Sequence, residues 1–363
     1  MKIGLNNFIK EYYHIKEEID SSISSVICNG NYILGENVKS FEKNFSKYIG
    51  SKHCVGVASG TDAITLSLIA NNIGSGDEVI VPDLTAYPTA VGILNSGATP
   101  LPSDIYDNNG LINVEKIESI ISEKTKAIVP VHLYGHPCDM GPLIEICDRN
   151  GLILIEDCAQ STGSEYKGIK VGKFGKCGAF SFYPTKNLGS YGDAGAIVTN
   201  DKKVYEKLIS LRNYGQIDGY LHQMNGRNSR LDEIQATVLN VKLNYIDEWN
   251  ERRAVNANYY KENLKNGLTL DENKSVKHTY HIFAIKSDQR KGLIHAMDDN
   301  HIETKIHYPT ALSQNDTIKS VSSNKLSKSI KFARKILSIP MNPWLEEKEL
   351  SLIVSTINDF YDK

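Results

Sequence analysis

"CGAFSFYPTKNLGSYGDAGAIVTND", residues 177–201, reads as two short strands joined through a glycine-rich turn. A long cationic side chain, Lys186, stands where the first strand enters the turn, and Asp193 lies among the glycines. Upstream of it, "LILIEDCAQ" (152–160) is a strand, "DMGPLIEICDRNG" (139–151) is helical and "KAIVPVHLYG" (126–135) is again a strand. The alternation continues back through "NVEKIESIISEKT" (113–125, helix), "TPLPSDI" (99–105, extended), "PTAVGILNSG" (88–97, helix), "DEVIVPDLT" (77–85, strand) and "SGTDAITLSLIANNIG" (59–74, helix). Strand–helix alternation over some 150 residues predicts an α/β fold with a mostly parallel central sheet.

Downstream the pattern changes. Residues 231–267, from "LDEIQA" to "LKNG", contain no proline and keep helical apolar spacing for over thirty residues. Such a helix leaves a large domain and enters a smaller α+β unit, which predicts a division into residues 1–247 and 248–363. "LSQNDTIKSVSSNKLSKS" (312–329) is polar enough to read as a mobile loop. At the other end, Ile9, Tyr12, Ile15, Ile19, Ile23 and Val26 recur at helical spacing with charges between them, an amphipathic helix rather than a signal peptide.

No apolar run is long enough to span a membrane. The net charge of −2 offers no basic field for nucleic acid. The six cysteines include no C-x-x-C pair, which reads as reduced thiols in a soluble cytoplasmic protein.

Phosphate-loop and dinucleotide glycine motifs are absent. His132 and His136 fall in a strand-to-turn context and share no helical face, so no metal is expected. Ser59, Gly60 and Thr61 precede a helix, where free N–H groups and the helix dipole favour an anion, although plain N-capping explains them equally well. Asp157 ends an apolar strand, at the edge where α/β proteins gather ligands, and Gln160 follows three residues on; capping again suffices. Lys186 decides between these readings. A free lysine is an unprotonated nucleophile in only about one molecule in 2,500 at pH 7. Burial between apolar strands lowers its pKa and makes Schiff-base chemistry accessible. A phosphate cradle, a carboxylate and a lysine, in that order along successive strand ends, form the set that pyridoxal 5′-phosphate requires.

The sequence closely resembles the pyridoxal-phosphate-dependent nucleotide-sugar aminotransferases of the DegT/DnrJ/StrS type, on the aspartate-aminotransferase fold (fold type I). The resemblance rests on "SGTDAI", "GDEVIVP", "TKAIVPVHLYGHPCDM", the run from "LILIEDCAQ" to "GAIVTN", "GRNSRLDEIQA", "DEWNERR" and "TKIHYP". These pieces fall in the family's order across residues 30–310. The resemblance implies that Lys186 is the cofactor-linked lysine and proton shuttle, that Asp157 pairs with the pyridine N–H⁺, and that Gln160 bonds the ring hydroxyl. It implies a phosphate held by Gly60, Thr61 and Ser181, with Asn228 reaching the phosphate of a neighbouring subunit in a homodimer with shared sites. Tyr183 and Asn187 are expected to face substrate, as are His307 and Tyr308 of the "HYP" element.

Two departures stand out. The family places an aromatic directly after the threonine of this strand end to stack on the cofactor; here Ala86 follows Thr85 and Tyr87 comes one place later. A one-residue shift in an extended segment turns a side chain to the other face, so Tyr87 stacks only on an irregular backbone. After "HYP", Ala311, Leu312 and Ser313 replace the usual histidine and proline. Family dehydratases carry histidine in place of the lysine, so transamination is the stronger reading. The implied reaction moves an amino group from L-glutamate to a keto nucleotide sugar, most closely at C3 of a dTDP-3-keto-6-deoxyhexose. The alternatives are C4 amination of a dTDP- or UDP-linked sugar, sugar dehydration, or a non-catalytic regulatory member.

Overall fold

The computed structural model describes residues 2–265, 267–319 and 326–362. Its centre is a seven-stranded sheet of β1 (His53–Val57), β2 (Glu78–Pro82), β3 (Thr99–Ser103), β4 (Thr125–Ile128), β5 (Ile153–Asp157), β6 (Cys177–Ser181) and β7 (Gly195–Thr199). The strands lie in the order β1-β7-β6-β5-β4-β2-β3. Only β7 runs antiparallel to its neighbours within this sheet, so six strands point the same way. Their carboxyl ends share one edge with the start of β7. Ser59, Asp83, Asp157, Ser181 and Asp193 therefore gather there, although they are spread over more than 130 residues.

Strand alternation in β6 explains its composition. Phe180 and Phe182 are fully buried and pack edge-on against Phe45, at ring distances of 5.0 and 5.2 Å, from the Glu36–Ile49 helix. Ser181, between them, faces the opposite side of the sheet. The Glu36–Ile49 and Met140–Asn150 helices each end on a left-handed glycine, Gly50 and Gly151, where a side chain would be strained.

Three expected helices differ in detail. Residues 231–267 form two helices, Glu233–Leu243 and Ile246–Asn263. The N–H groups of Asn244 and Tyr245 bond back to Val241 and Lys242 in tight turns, and Trp249 then stacks on Tyr245 at 5.8 Å. The amino-terminal pattern likewise breaks at Ile15 into Phe8–His14 and Lys16–Asn29; Ile15, Ile19 and Val26 are buried, but Ile9 faces solvent. Residues 113–125 yield only two 3₁₀ turns, Val114–Lys116 and Glu118–Ile120. The described part of the expected loop at 312–329 is structured: Leu312–Gln314 is a 3₁₀ turn, Asp316–Lys319 a short helix, and Ser327 opens the Ser327–Lys335 helix; residues 320–325 lie outside the described residues.

The carboxyl-terminal part builds a second core around strands β8 (Phe283–Lys286) and β9 (Ile336–Ile339), which pair antiparallel. Ala257, Tyr260, Leu293, Met297 and Ile353 pack there, and so does Ile3, whose backbone bridges Ile302. No helix among the described residues is long and apolar enough to cross a membrane.

Candidate active site

A cavity of about 400 Å³ opens at the shared strand edge, lined by Ser59, Gly60, Thr61, Thr85, Ala86, Thr89, Asp157, Gln160, Ser181, Tyr183, Lys186, Asp193 and Tyr308, among others. Local geometry explains each position. Ser59 is the N-cap of the Gly60–Ala70 helix, its hydroxyl accepting the Asp62 N–H at 3.1 Å. The first N–H groups of the helix, those of Gly60 and Thr61, are left at the cavity both residues line. A Cβ on Gly60 would lie 2.6 Å from the Ser181 Cβ, so only glycine lets the helix start approach β6 this closely. This is an anion cradle: helix N–H groups, the dipole, and the hydroxyls of Thr61 and Ser181.

Asp157 ends β5, buried. Thr89 donates to its Oδ2 at 2.8 Å and the Ala159 N–H to its Oδ1 at 3.0 Å. Burial nonetheless raises its pKa above the usual carboxylate range, against those hydrogen bonds and the attraction of Lys186. A cationic ring N–H is the partner such a carboxylate lacks. Lys186 lies in the turn after β6, its N–H bonded to the Tyr183 carbonyl at 2.8 Å. Burial lowers its amine to about pKa 8, partly opposed by Asp157. At pH 7 about one molecule in ten then carries the free amine, hundreds of times more than for an ordinary lysine. The donor set fits pyridoxal phosphate at both ends and at its aldehyde. In the apo protein, labelling of Lys186 by pyridoxal phosphate and borohydride should accelerate about tenfold per pH unit up to about pH 8 and then level off. A rate still climbing above pH 10 would mean an ordinary solvated amine.

Gln160 is held at both ends: its Oε1 accepts the Tyr134 N–H at 2.6 Å and its Nε2 donates to Tyr308 Oη at 2.8 Å. Tyr183 lines the cavity and is half exposed. Other expected residues are not brought to it. Tyr87 opens the Tyr87–Asn95 helix, and its hydroxyl pairs with Thr317 at 2.6 Å; Ala86 forms the cavity wall instead. Asn187 is buried, donating to Asn250 at 2.8 Å and to the Thr279 carbonyl at 2.9 Å and pairing with His281 at 3.1 Å, which leaves it in the protein interior. His307 lines a neighbouring hollow of about 60 Å³ and pairs with Ser338. Asn228 bridges Asn213 away from this chain's own cavity. Thr89 and Tyr134 went unnoticed in the sequence, and Asp193 was visible there only as the aspartate among the glycines.

Beneath the site, His132, Glu156 and Cys158 form a buried group with metal-like spacing. The Cys138 N–H occupies His132 Nδ1 at 3.0 Å, so Nε2 carries the proton and donates to Glu156 at 3.2 Å. Glu156 also accepts N–H groups from Gly172, Phe174 and Gly175. These bonds fix the loop behind Asp157 and leave the imidazole no lone pair for a metal.

The family profile of DegT/DnrJ/EryC1/StrS aminotransferases matches residues 13–358. The chain belongs to this family. It is an aminotransferase of fold type I, and the family uses pyridoxal phosphate. It is 40% identical over 349 residues to dTDP-3-amino-3,6-dideoxy-alpha-D-galactopyranose transaminase of Aneurinibacillus thermoaerophilus, covering 95% of this chain and 96% of that one. It is 38% identical over 357 residues to dTDP-3-amino-3,4,6-trideoxy-alpha-D-glucose transaminase of Streptomyces venezuelae, covering 97% and 94%. Among solved structures, S. venezuelae DesV in complex with a ketimine intermediate superposes with a TM-score of 0.97 at 36% identity, covering 100% and 99%. This aminotransferase thus shares its fold with DesV from end to end.

Proposed function

We propose that this aminotransferase moves the amino group of L-glutamate onto the C3 keto group of a dTDP-linked 6-deoxyhexose, with pyridoxal phosphate in the cavity. The observation that carries the reading is the Lys186 amine and the Asp157 carboxylate lining one cavity beside an anion cradle. The choice of C3 and dTDP is supported by two relatives, both named for 3-amino dTDP sugars.

When bound, the cofactor supplies an electron sink for the carbon that gains or loses a proton. Gly60, Thr61 and Ser181 would hold its phosphate, and the Asp157 carboxylate would keep its ring nitrogen protonated. Gln160, fixed by Tyr134 and Tyr308, would hydrogen-bond the ring hydroxyl. The Lys186 amine, free in an appreciable fraction near neutral pH, would take the proton that the α-carbon of glutamate loses in the first half-reaction and, in the second, deliver the proton that C3 of the sugar gains. Tyr183 and Tyr308 flank the path of the sugar. Residues 1–247 carry the cofactor and residues 248–363 close over it.

The working unit is a homodimer in which Asn228 completes the partner's site. The hairpin at 216–222 beside it supports this, with Tyr220 97% exposed and Leu221 57% exposed on a surface that favours being covered. Six free cysteines, five of them buried, suit the reducing cytoplasm.

The test incubates the protein with glutamate and a panel of 3-keto and 4-keto dTDP- and UDP-sugars, identifying products by mass and NMR. Amination at C3 of a dTDP-6-deoxyhexose is expected. Turnover confined to 4-keto sugars overturns the assignment of the carbon.

A further inference from the structure

We infer that Asp83 is a positioning residue for the sugar substrate, latching the segment after Tyr308 onto the rim of the cavity. The inference rests on the function proposed above and adds to it the group that fixes the substrate side of the site.

Asp83 is the first residue after β2 and is fully buried, yet no cation within 4 Å pairs with it among the described residues. Its carboxylate binds donors from far along the chain. Oδ1 accepts the Ser313 N–H at 2.7 Å, Oδ2 accepts the Ser313 hydroxyl at 3.0 Å, and the Ser329 hydroxyl bonds Oδ2 as well. Its main-chain carbonyl accepts the Leu312 N–H at 2.7 Å. A buried carboxylate with several donors and no cation binds its donors strongly, because each would otherwise be left unpaired. The latch therefore specifies where residues 311–313 lie.

A second stitch lies nearby. Tyr87, turned out of the cavity, pairs with Thr317 at 2.6 Å. The two contacts flank Thr85 and Ala86, which line the cavity. At the other end of the segment, Tyr308 bonds Gln160, and the Tyr134 hydroxyl bonds the His307 carbonyl. Residues 307–317 thus cross the site from Gln160 to Asp83. Tyr308 is the cavity-lining residue that comes from beyond residue 193. The cradle, Asp157 and Lys186 all belong to earlier segments, so loosening the latch shifts the Tyr308 side and spares the cofactor contacts.

The experiment compares wild type with Asp83→Ala, Asp83→Asn and Tyr87→Phe. Hydrogen exchange reads the latch itself: the peptide containing residues 311–317 should exchange at least about tenfold faster in Asp83→Ala. Steady-state kinetics read the consequence. KM for the keto sugar should rise about tenfold or more, while pyridoxal phosphate affinity and the rate of the glutamate half-reaction stay within about twofold. Asp83→Asn keeps an acceptor for the Ser313 N–H and should recover most of the loss. Tyr87→Phe, at an exposed position that does not threaten folding, should raise KM about threefold. Unchanged exchange at 311–317, a KM within twofold of wild type, or equal losses in cofactor and sugar binding would each overturn the assignment. Should Asp83→Ala fail to fold, Tyr87→Phe decides by the same readouts. Should wild type aminate no keto sugar, the proposed function fails, while the exchange result still decides the latch.

Discussion

Lys186→Ala folds, binds pyridoxal phosphate through the cradle and Asp157, and loses transamination to below about one ten-thousandth of the wild-type rate. The size follows from losing both the amine that engages the aldehyde and the positioned base, which alone contributes about 10²–10⁴-fold. Folding should survive, because burial disfavours the charged amine, as its lowered pKa near 8 records, and alanine removes that cost. Steady-state assay with a thermal melt checks both halves. A small primary amine added to the buffer should restore part of the rate if the missing group is the amine itself. A variant with near-wild-type turnover would remove Lys186 from the chemistry.

Asp157→Asn should lower turnover between about 10²-fold and several 10³-fold, corresponding to the roughly 3–5 kcal/mol at stake when one partner of a buried ion pair is removed. Asparagine preserves shape and can still meet the Thr89 hydroxyl, but it cannot hold a positive charge on the cofactor ring. A second effect carries a definite sign. Asp157 attracts the protonated amine and so raises the pKa of Lys186; without it burial acts unopposed. The pH at which labelling of Lys186 levels off should therefore move below about 8, even as catalysis falls. Turnover and labelling midpoint both unchanged would show that this carboxylate serves only to hold the strand end.

Much of the central sheet was legible because its strands are short apolar runs cut off by turn residues, as in "EVIVP" and "ILIED"; the strand "HCVGV" before the cradle, with glycine at its centre, went unread. The carboxylate and the lysine were legible because they close or follow such runs. What escaped depends on geometry that periodicity does not carry. Val114, Ile117 and Ile120 recur every three residues, a spacing that an α-helix and a 3₁₀ turn share, and the turn prevailed. The break at Asn244 contains neither proline nor glycine, so nothing local announced it. Tyr87 was one residue out of register because the strand has already become a helix there, and Ala86 takes the wall. Asn187 adjoins the key lysine in sequence, yet its amide completes a network with Asn250, Thr279 and His281. Asp83 was read as part of a strand (77–85), and nothing in the sequence announced that residues 230 positions later close on it.

Ile3 and Leu5 belong with partners that lie about three hundred residues later in the sequence. Ile3 bridges Ile302 and packs among side chains from residue 257 onward, while the Leu5 N–H bonds the Glu303 carboxylate at 3.0 Å. As the nascent chain emerges, Ile3 and Leu5 cannot dock until residues 302 and 303 have been synthesised. The central sheet, whose strands all lie before residue 200, is by then free to assemble, and Ile3 and Leu5 are fastened afterwards. Asn6 and Phe8 border the hollow that Lys186 also borders, so this late fastening is what finally seals the back of the catalytic turn.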